Sequence, residues 1–302
     1  MFNFEKDTVL TQEDFEIKDK VTLIDDFLFS QSVTLIYSPP KQGKTWLAYG
    51  MASELNKHDE CQQIFYLDMD NSISTLKDRA VHETLMQYEK LKYISRSKIG
   101  CLPLEYLRKI SHEAQPNAFD GVVFFLDTTK DFVDTDSTSK AKEFLSYTTM
   151  MRDAGATVII LHHATKNGRH ISGDSSFTNT PDNVYEMAQK AKRSNELHYF
   201  LSVTHARGVV KDVGFSVNTN SLQLGELDKV LASMTTYEEE FVNNASQVLK
   251  ENADGLNSKQ LLITLGYTKD DKTARDRLEK YEGKFWKKYQ EKKGKPIIYT
   301  II

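Results

Sequence analysis

Three short runs in this chain are almost wholly apolar, and each ends in a group that can carry chemistry. VTLIY at 33–37 runs into Ser38, GVVFFL at 121–126 into Asp127, and ATVIIL at 156–161 into His162 and His163. A run of this length without alternation reads as a strand buried on both faces, and it is too short for a core helix. Between the runs lie stretches with helical patterning, at 44–55, 72–88, 104–112 and 138–153; the last has Ser137 as N-cap and Gly155 as its stop. Further strands are predicted at 63–67 and 91–95. Buried strands alternating with helices predict an α/β fold, a mostly parallel sheet with helices on both faces.

After His163 the texture changes. Residues 166–183 are rich in Gly, Ser, Asn and Thr and read as a long loop, which in a compact domain implies a job for it. Alternating segments at 184–188, 197–204 and 214–217 predict an antiparallel extension at one sheet edge. A helix over 235–250 then leads to a C-terminal module. The expected division is 1–230 for the large domain and 231–302 for the linker helix and module. Hydrophobic residues make up 39% of the 302, enough for a real core. No run of 18 apolar residues is present, and residues 1–10 lack an apolar stretch, so neither a membrane span nor a signal peptide is expected. Cys61 and Cys101 lie forty apart without metal-ligand spacing and read as reduced thiols of a cytoplasmic protein.

The net charge of −4 excludes binding to nucleic acid by bulk charge alone, but it is unevenly spread. Residues 251–302 hold twelve Lys/Arg against eight Asp/Glu, whereas the other 250 residues hold 27 against 35. In this basic segment a capped helix is predicted to end near Gly266. A second, capped by Thr268 or Asp270, covers 272–281, and FWKKYQEKKGKPIIYTII reads as a hairpin turning at 293–296. Helix, turn, helix and basic hairpin resemble a small α+β winged-helix domain. Lys272, Arg275, Lys288 and Lys293 are its candidate DNA contacts, with Arg277, Lys280, Lys287, Lys292 and Lys295 adding to the footprint.

The segment SPPKQGKT at 38–45 has the Walker A spacing, with Ser38 in place of the first glycine. A phosphate site needs inward backbone N–H groups, a lysine that reaches the phosphates and a hydroxyl for Mg²⁺. Gly43, Lys44 and Thr45 supply them, and Ser38, Lys41, Gln42, Gly43, Lys44, Thr45 and Trp46 form the expected nucleotide-binding run. Asp127, at the end of a buried strand, fits the Walker B acid that joins Thr45 in holding the metal. Asp68 and Asp70 close another strand, and either could orient the attacking water. His162 and His163 face opposite ways at a strand end, and one of them could hydrogen-bond a γ-phosphate.

In this order the four elements resemble the RecA-like fold and, within it, the RepA-like ATPases related to hexameric replicative helicases. Asp25-Asp26-Phe27-Leu28 leading through VTLIYSPPKQGKT is similar to that family's opening segment and P-loop. YLDMDNSISTLKDR is similar to the segment with the catalytic acid, here Asp70 in place of the usual glutamate. ILHHATKNG resembles the sensor strand, with His163 and Lys166, and SGDSSFTNTPDNVYEM the segment after the mobile loop. THARGVV resembles the turn that bears an arginine finger, with His205-x-Arg207 in place of Lys-x-Arg. The likeness spans about residues 20–220.

The resemblance implies an ATPase with ATP and Mg²⁺ as cofactors. Its catalytic set is Lys44, Asp70, Asp127, His163 and, acting on the neighbouring subunit, Arg207 with Lys211 as the fallback. It implies a homo-oligomer, a hexameric ring, that moves on single-stranded DNA in the replication of a plasmid, phage or mobile element. Loop 166–177 lines the channel: Lys166, Arg169 and His170 pair with phosphates, Asn167 and Ser172 hydrogen-bond them, and Gly168 and Gly173 let the loop change shape. The C-terminal module adds duplex DNA or a replication protein as a partner, and no membrane is involved. The competing expectations are an ATP-controlled DNA-binding regulator without unwinding activity and a recombinase-like filament former.

Overall fold

The computed structural model describes residues 19–165, 168 and 170–302. A short antiparallel pair comes first, β1 (Thr22–Ile24) and β2 (Leu28–Phe29), with Phe27 fully buried in the turn. The chain continues through β3 (Val33–Ser38), α1 (Lys44–Lys57), β4 (Gln63–Asp68), α2 (Ile73–Asp78), β5 (Leu91–Ser95), α3 (Pro103–His112), β6 (Val122–Asp127), α4 (Thr129–Phe132), α5 (Thr138–Asp153) and β7 (Thr157–His163). Then follow α6 (Ser176–Asn179), β8 (Asn183–Arg193), β9 (Glu196–Ala206), β10 (Val213–Asn218), β11 (Leu224–Leu227) and α7 (Lys229–Ser233). Nine described strands form one mostly parallel sheet in the order β11-β10-β9-β8-β3-β7-β6-β4-β5, flanked by helices. The six from β8 to β5 are parallel, and β9 to β11 extend the sheet antiparallel.

Strand parity divides the core. Ile36, Tyr66, Val123, Phe125, Ile159 and Leu161 face one side and pack with Leu47, Met51 and Leu55 of α1. Leu35, Leu67, Phe124, Leu126, Val158 and Ile160 face the other and pack with Leu107 of α3 and Phe144, Leu145 and Met151 of α5. Burial on both faces accounts for the unbroken apolar runs. On the first face α1 reaches β10 closely: a Cβ on Gly50 would stand 2.8 Å from a Val217 methyl.

Several segments depart from expectation. The stretch 184–188 joins the parallel set, because β8 pairs with β3 from Thr34↔Asn183 to Tyr37↔Glu186 before it turns into the hairpin with β9. Its first three residues are buried in the sheet, and exposure grows only toward the hairpin tip, so the strand mixes both patterns. The helix expected over 72–88 stops at Asp78. Ala80 takes a left-handed φ of 53°, Val81 donates to the Leu76 carbonyl, and the segment folds back to bury Leu76, Val81 and Leu85.

The remainder builds a third core: α8 (Thr236–Glu251), β12 (Leu256–Asn257), α9 (Ser258–Thr264), α10 (Lys272–Lys280), β13 (Trp286–Tyr289) and β14 (Ile298–Ile301), with the strands ordered β12-β14-β13 in an antiparallel sheet. The short β12 was not expected. Capping boxes at Thr235/Glu238 and Asn257/Gln260 start α8 and α9. Asp271, rather than Thr268 or Asp270, caps α10 by accepting from the Ala274 amide at 2.9 Å. α7 stands at the junction: Ala232 packs on Gly214 of β10, while Val230 packs against the third core. No helix among the described residues is long and apolar enough to cross a membrane.

Trp286 anchors the third core. It is fully buried, and its Nε1 donates to the Leu278 carbonyl at 2.9 Å. Trp286→Ala should cost about 3–5 kcal/mol. Urea denaturation followed by circular dichroism checks this, and an unchanged midpoint would refute it.

Candidate functional site

The strand parity that sorts the core also sorts the polar strand ends. Asp127 follows Val123 and Phe125, Asp68 follows Ile64 and Tyr66, and His163 follows Ile159 and Leu161, all on the α1 face. His162 falls on the other face, where its ring lies 4.6 Å from that of Phe177 and its Nε2 donates to the Ser172 carbonyl at 2.8 Å. Of the two histidines, His163 is therefore the one that shares a cleft with the P-loop. The meeting point is the carboxyl edge of β3, β7, β6 and β4. In the sheet β7 and β6 stand between β3 and β4, and such a switch in strand order opens a crevice beyond the strand ends.

The P-loop is held from below. Gly43 sits at φ 76° as the N-cap of α1, and a Cβ there would lie 2.5 Å from the Tyr199 hydroxyl. That hydroxyl donates to the Gly43 carbonyl at 3.0 Å, and the Gln189 amide donates to the Gln42 side chain at 3.3 Å. Lys41 takes φ 64°, a left-handed conformation uncommon for a residue with a side chain. Ser38, where a glycine is usual, is buried; its hydroxyl accepts from Lys44 Nζ at 3.1 Å and donates to the Pro39 carbonyl at 3.1 Å.

Thr45 Oγ1 donates to Asp127 Oδ2 at 3.0 Å, and the Tyr66 hydroxyl donates to the same oxygen at 2.8 Å. Asp127 Oδ1 is buried without a hydrogen-bond partner among the described residues. Burial, with the Asp68 carboxylate second, raises the Asp127 pKa well above the usual carboxylate range, while the bonds from Tyr66 and Thr45 oppose the shift. An acid with one orphaned oxygen beside a hydroxyl fits a hydrated Mg²⁺ reached through water. No cluster of three or more His, Cys, Asp or Glu that could hold a metal occurs among the described residues. The peptide bond between Asp127 and Thr128 is cis.

Lys44 Nζ donates to the Ser38 carbonyl at 3.1 Å and lies 3.5 Å from His163 Nδ1. Burial lowers Lys44 to about 8; Asp127 opposes this and Lys130 adds to it. Burial, then the Lys44 and Lys130 cations, lowers His163 to about 4, so its ring is neutral at pH 7. With Nδ1 accepting from Lys44, the ring proton sits on Nε2, a buried atom with no partner among the described residues.

The two strand-end acids play different parts. Asp68 is wholly buried and ties down the turn after β4, accepting from the backbone amides of Asp70 (3.1 Å) and Asn71 (2.9 Å) and from the Tyr93 hydroxyl (2.6 Å). Asp70 is half-exposed in the cleft, 3.4 Å from Lys130. The cleft holds about 530 Å³ and also takes Arg79, Thr128, Gln189, Lys192 and Leu197 into its wall. None of these was expected. Lys130 had a local signal, a cation three residues past Asp127, whereas Gln189, Lys192 and Leu197 arrive on a hairpin that folds back from elsewhere.

Of the other expected residues, Arg207 and Lys211 lie apart from the cleft. Arg207 follows β9, which runs antiparallel, and so stands at the opposite sheet edge. It is exposed there, donates to the Asn179 carbonyl at 2.9 Å and lies 3.9 Å from Asp182. Lys211 pairs with Asp26 at 2.8 Å. Lys166, Asn167 and Arg169 lie outside the described residues. His170 is exposed, and Ser172 ties the returning segment to the His163 carbonyl. Gly168 approaches the P-loop, since a Cβ there would stand 3.1 Å from the Pro39 ring. Gly173 is packed on the Thr135 backbone. In the C-terminal module Lys272 and Lys293 are exposed, whereas Arg275 pairs with Asp270 at 3.3 Å and Lys288 pairs with Glu279.

Neither a scan against models of protein families nor a search of the curated proteins finds a match for this chain.

The lowered Lys44 value has a measurable sign. Between about 8 and 10.5 the unfolded chain holds a proton that the folded chain does not. The stability linked to this group is therefore complete above 10.5 and is lost as pH falls through 8. Lys44→Met should be more stable than the parent at pH 7, by up to about 3 kcal/mol, with the gap narrowing toward pH 10. Urea denaturation at both pH values checks this, and a gap independent of pH would contradict it.

Proposed function

We propose that the chain is an ATP-hydrolysing, oligomeric, DNA-dependent motor of the replicative helicase type, built on a RecA-like domain with a winged-helix-like C-terminal module. The observation that carries the reading is the convergence of Lys44, Thr45 and His163 on one cleft at the carboxyl edge of the parallel sheet, with Asp127 buried behind it and bonded to Thr45.

In this reading the P-loop amides and Lys44 take the phosphates, exchanging the Ser38 carbonyl for phosphate oxygens. Thr45 and Asp127 hold Mg²⁺, which neutralises charge on the β- and γ-phosphate oxygens when bound. Asp70 orients the attacking water; its place in the open cleft favours it over Asp68, whose oxygens are taken up by the turn they hold. His163 donates from Nε2 to a γ-phosphate oxygen. Its carbonyl accepts from Ser172 and its strand leads into the loop whose Gly168 lies against Pro39, so loss of the phosphate is felt by the loop. Lys166, Arg169 and His170 on that loop contact the backbone of single-stranded DNA.

Arg207 stands at the far sheet edge and cannot serve its own cleft, which supports action on a neighbour's nucleotide within a ring. In the C-terminal module Lys272 and Lys293 are the foremost DNA contacts, because Arg275 and Lys288 spend part of their charge on Asp270 and Glu279.

The parent chain should hydrolyse ATP, with single-stranded DNA raising the rate, and should open a forked duplex. An unstimulated rate with an intact fork defeats the motor and leaves an ATP-controlled DNA-binding protein. Lys44→Ala should abolish hydrolysis. Mixing Lys44→Ala with Arg207→Ala subunits should recover activity that neither has alone; a mixture no faster than the separate variants counts against the finger.

A further inference from the structure

The cleft is chemically mixed. Lys44, Thr128, Lys130, Asp70 and His163 line it with charge and hydrogen-bonding groups. Its wall also holds a large aromatic ring, Trp46, and an aliphatic side chain, Leu197, that phosphate has no use for. Trp46 follows Thr45 in the first turn of α1 and is half-buried. One edge of its indole is fixed by Tyr49, with ring centroids 5.9 Å apart at 79°, and the ring also lines the cleft. Leu197, 5% exposed, also lines the cleft and pairs across the β8–β9 hairpin with Lys192, an exposed cation with no ion pair among the described residues. The wall is set relative to the phosphates because the same hairpin braces the P-loop through Tyr199 and Gln189. A volume of about 530 Å³ lies in the usual range for sites that hold a whole small ligand.

We propose that a purine base stacks on the indole of Trp46 against the Leu197–Lys192 wall, which makes this cleft a site for a nucleoside triphosphate instead of for bare polyphosphate. The inference rests on the nucleotide reading above and adds the base-recognition half of the site. A base offers its π-face to the indole. A purine also turns its N7 acceptor toward the Lys192 ammonium, whereas a pyrimidine covers less of the ring and has no N7.

Titration calorimetry with Mg²⁺ on the full chain tests this, comparing ATP, cytidine triphosphate and inorganic tripolyphosphate. The parent should bind ATP at least about tenfold more tightly than tripolyphosphate, with the pyrimidine between them. Trp46→Leu should lose about tenfold for ATP and leave tripolyphosphate unchanged, and Trp46→Phe should retain most of the difference. The chain has two tryptophans, and Trp286 is buried in the third core. ATP should therefore quench a part of the emission that is absent in Trp46→Leu, and tripolyphosphate should not. Equal binding of ATP and tripolyphosphate by the parent, or an unchanged ratio in Trp46→Leu, overturns the proposal. Should Trp46→Leu fail to fold, the parent's quench and the Trp46→Phe ratio decide. Binding of neither ligand by the parent is a different result: it removes the nucleotide reading, and the base slot with it.

Discussion

The hydrogen bond from Thr45 to Asp127 joins the first turn of α1 to the end of β6. Much else is arranged around it. Asp127 is wholly buried, an expensive place for a carboxylate, and its remaining support is the Tyr66 hydroxyl. Tyr66 in turn stacks on Tyr93 with ring centroids 5.0 Å apart, and Tyr93 bonds to Asp68, which shapes the turn that carries Asp70. A single acid on the α1 face is thus tied to the P-loop helix on one side and to the second acidic strand end on the other.

Much of the fold could be read from the chain because its central strands are covered on both faces. Unbroken apolar runs as short as 121–126 and 156–161 suit a central strand far better than a helix, and the Gly-Lys-Thr turn between strand and helix is a local pattern. Other features depend on which face a distant element covers. Parity places His162 and His163 on opposite sides of β7, but only the packing of α1 against Ile159 and Leu161 says which side holds the P-loop. Asp68 and Asp70 share a parity, and what separates them is the capture of Asp68 by Asn71 and Tyr93. The direction of β8 was hidden because one strand is central at its start and a hairpin arm at its end. The bracing of Gly43 by Tyr199 joins residues 156 apart, and nothing near either one announces it.

The basic character of the C-terminal segment survives folding only in part. Lys280 is paired with Glu238, Lys288 with Glu279 and Arg275 with Asp270, so three of the cations counted along the segment are already engaged. Arg277 is also engaged, with its guanidinium 5.7 Å from the Phe241 ring centroid. Some of the charge therefore helps to seal the third core and is not wholly available to a partner.

The β8–β9 hairpin touches both the 38–45 loop and the third core. Part-way along it the cross-strand pair Gln189 and Tyr199 braces the P-loop; at its tip, Arg193 pairs with Glu239 of α8, the first helix of the third core. The two cores therefore share a mechanical element as well as a linker. Linkage makes any such sharing symmetric: a ligand on the third core that altered binding in the cleft through this hairpin would have its own affinity altered by the cleft's occupant by the same factor.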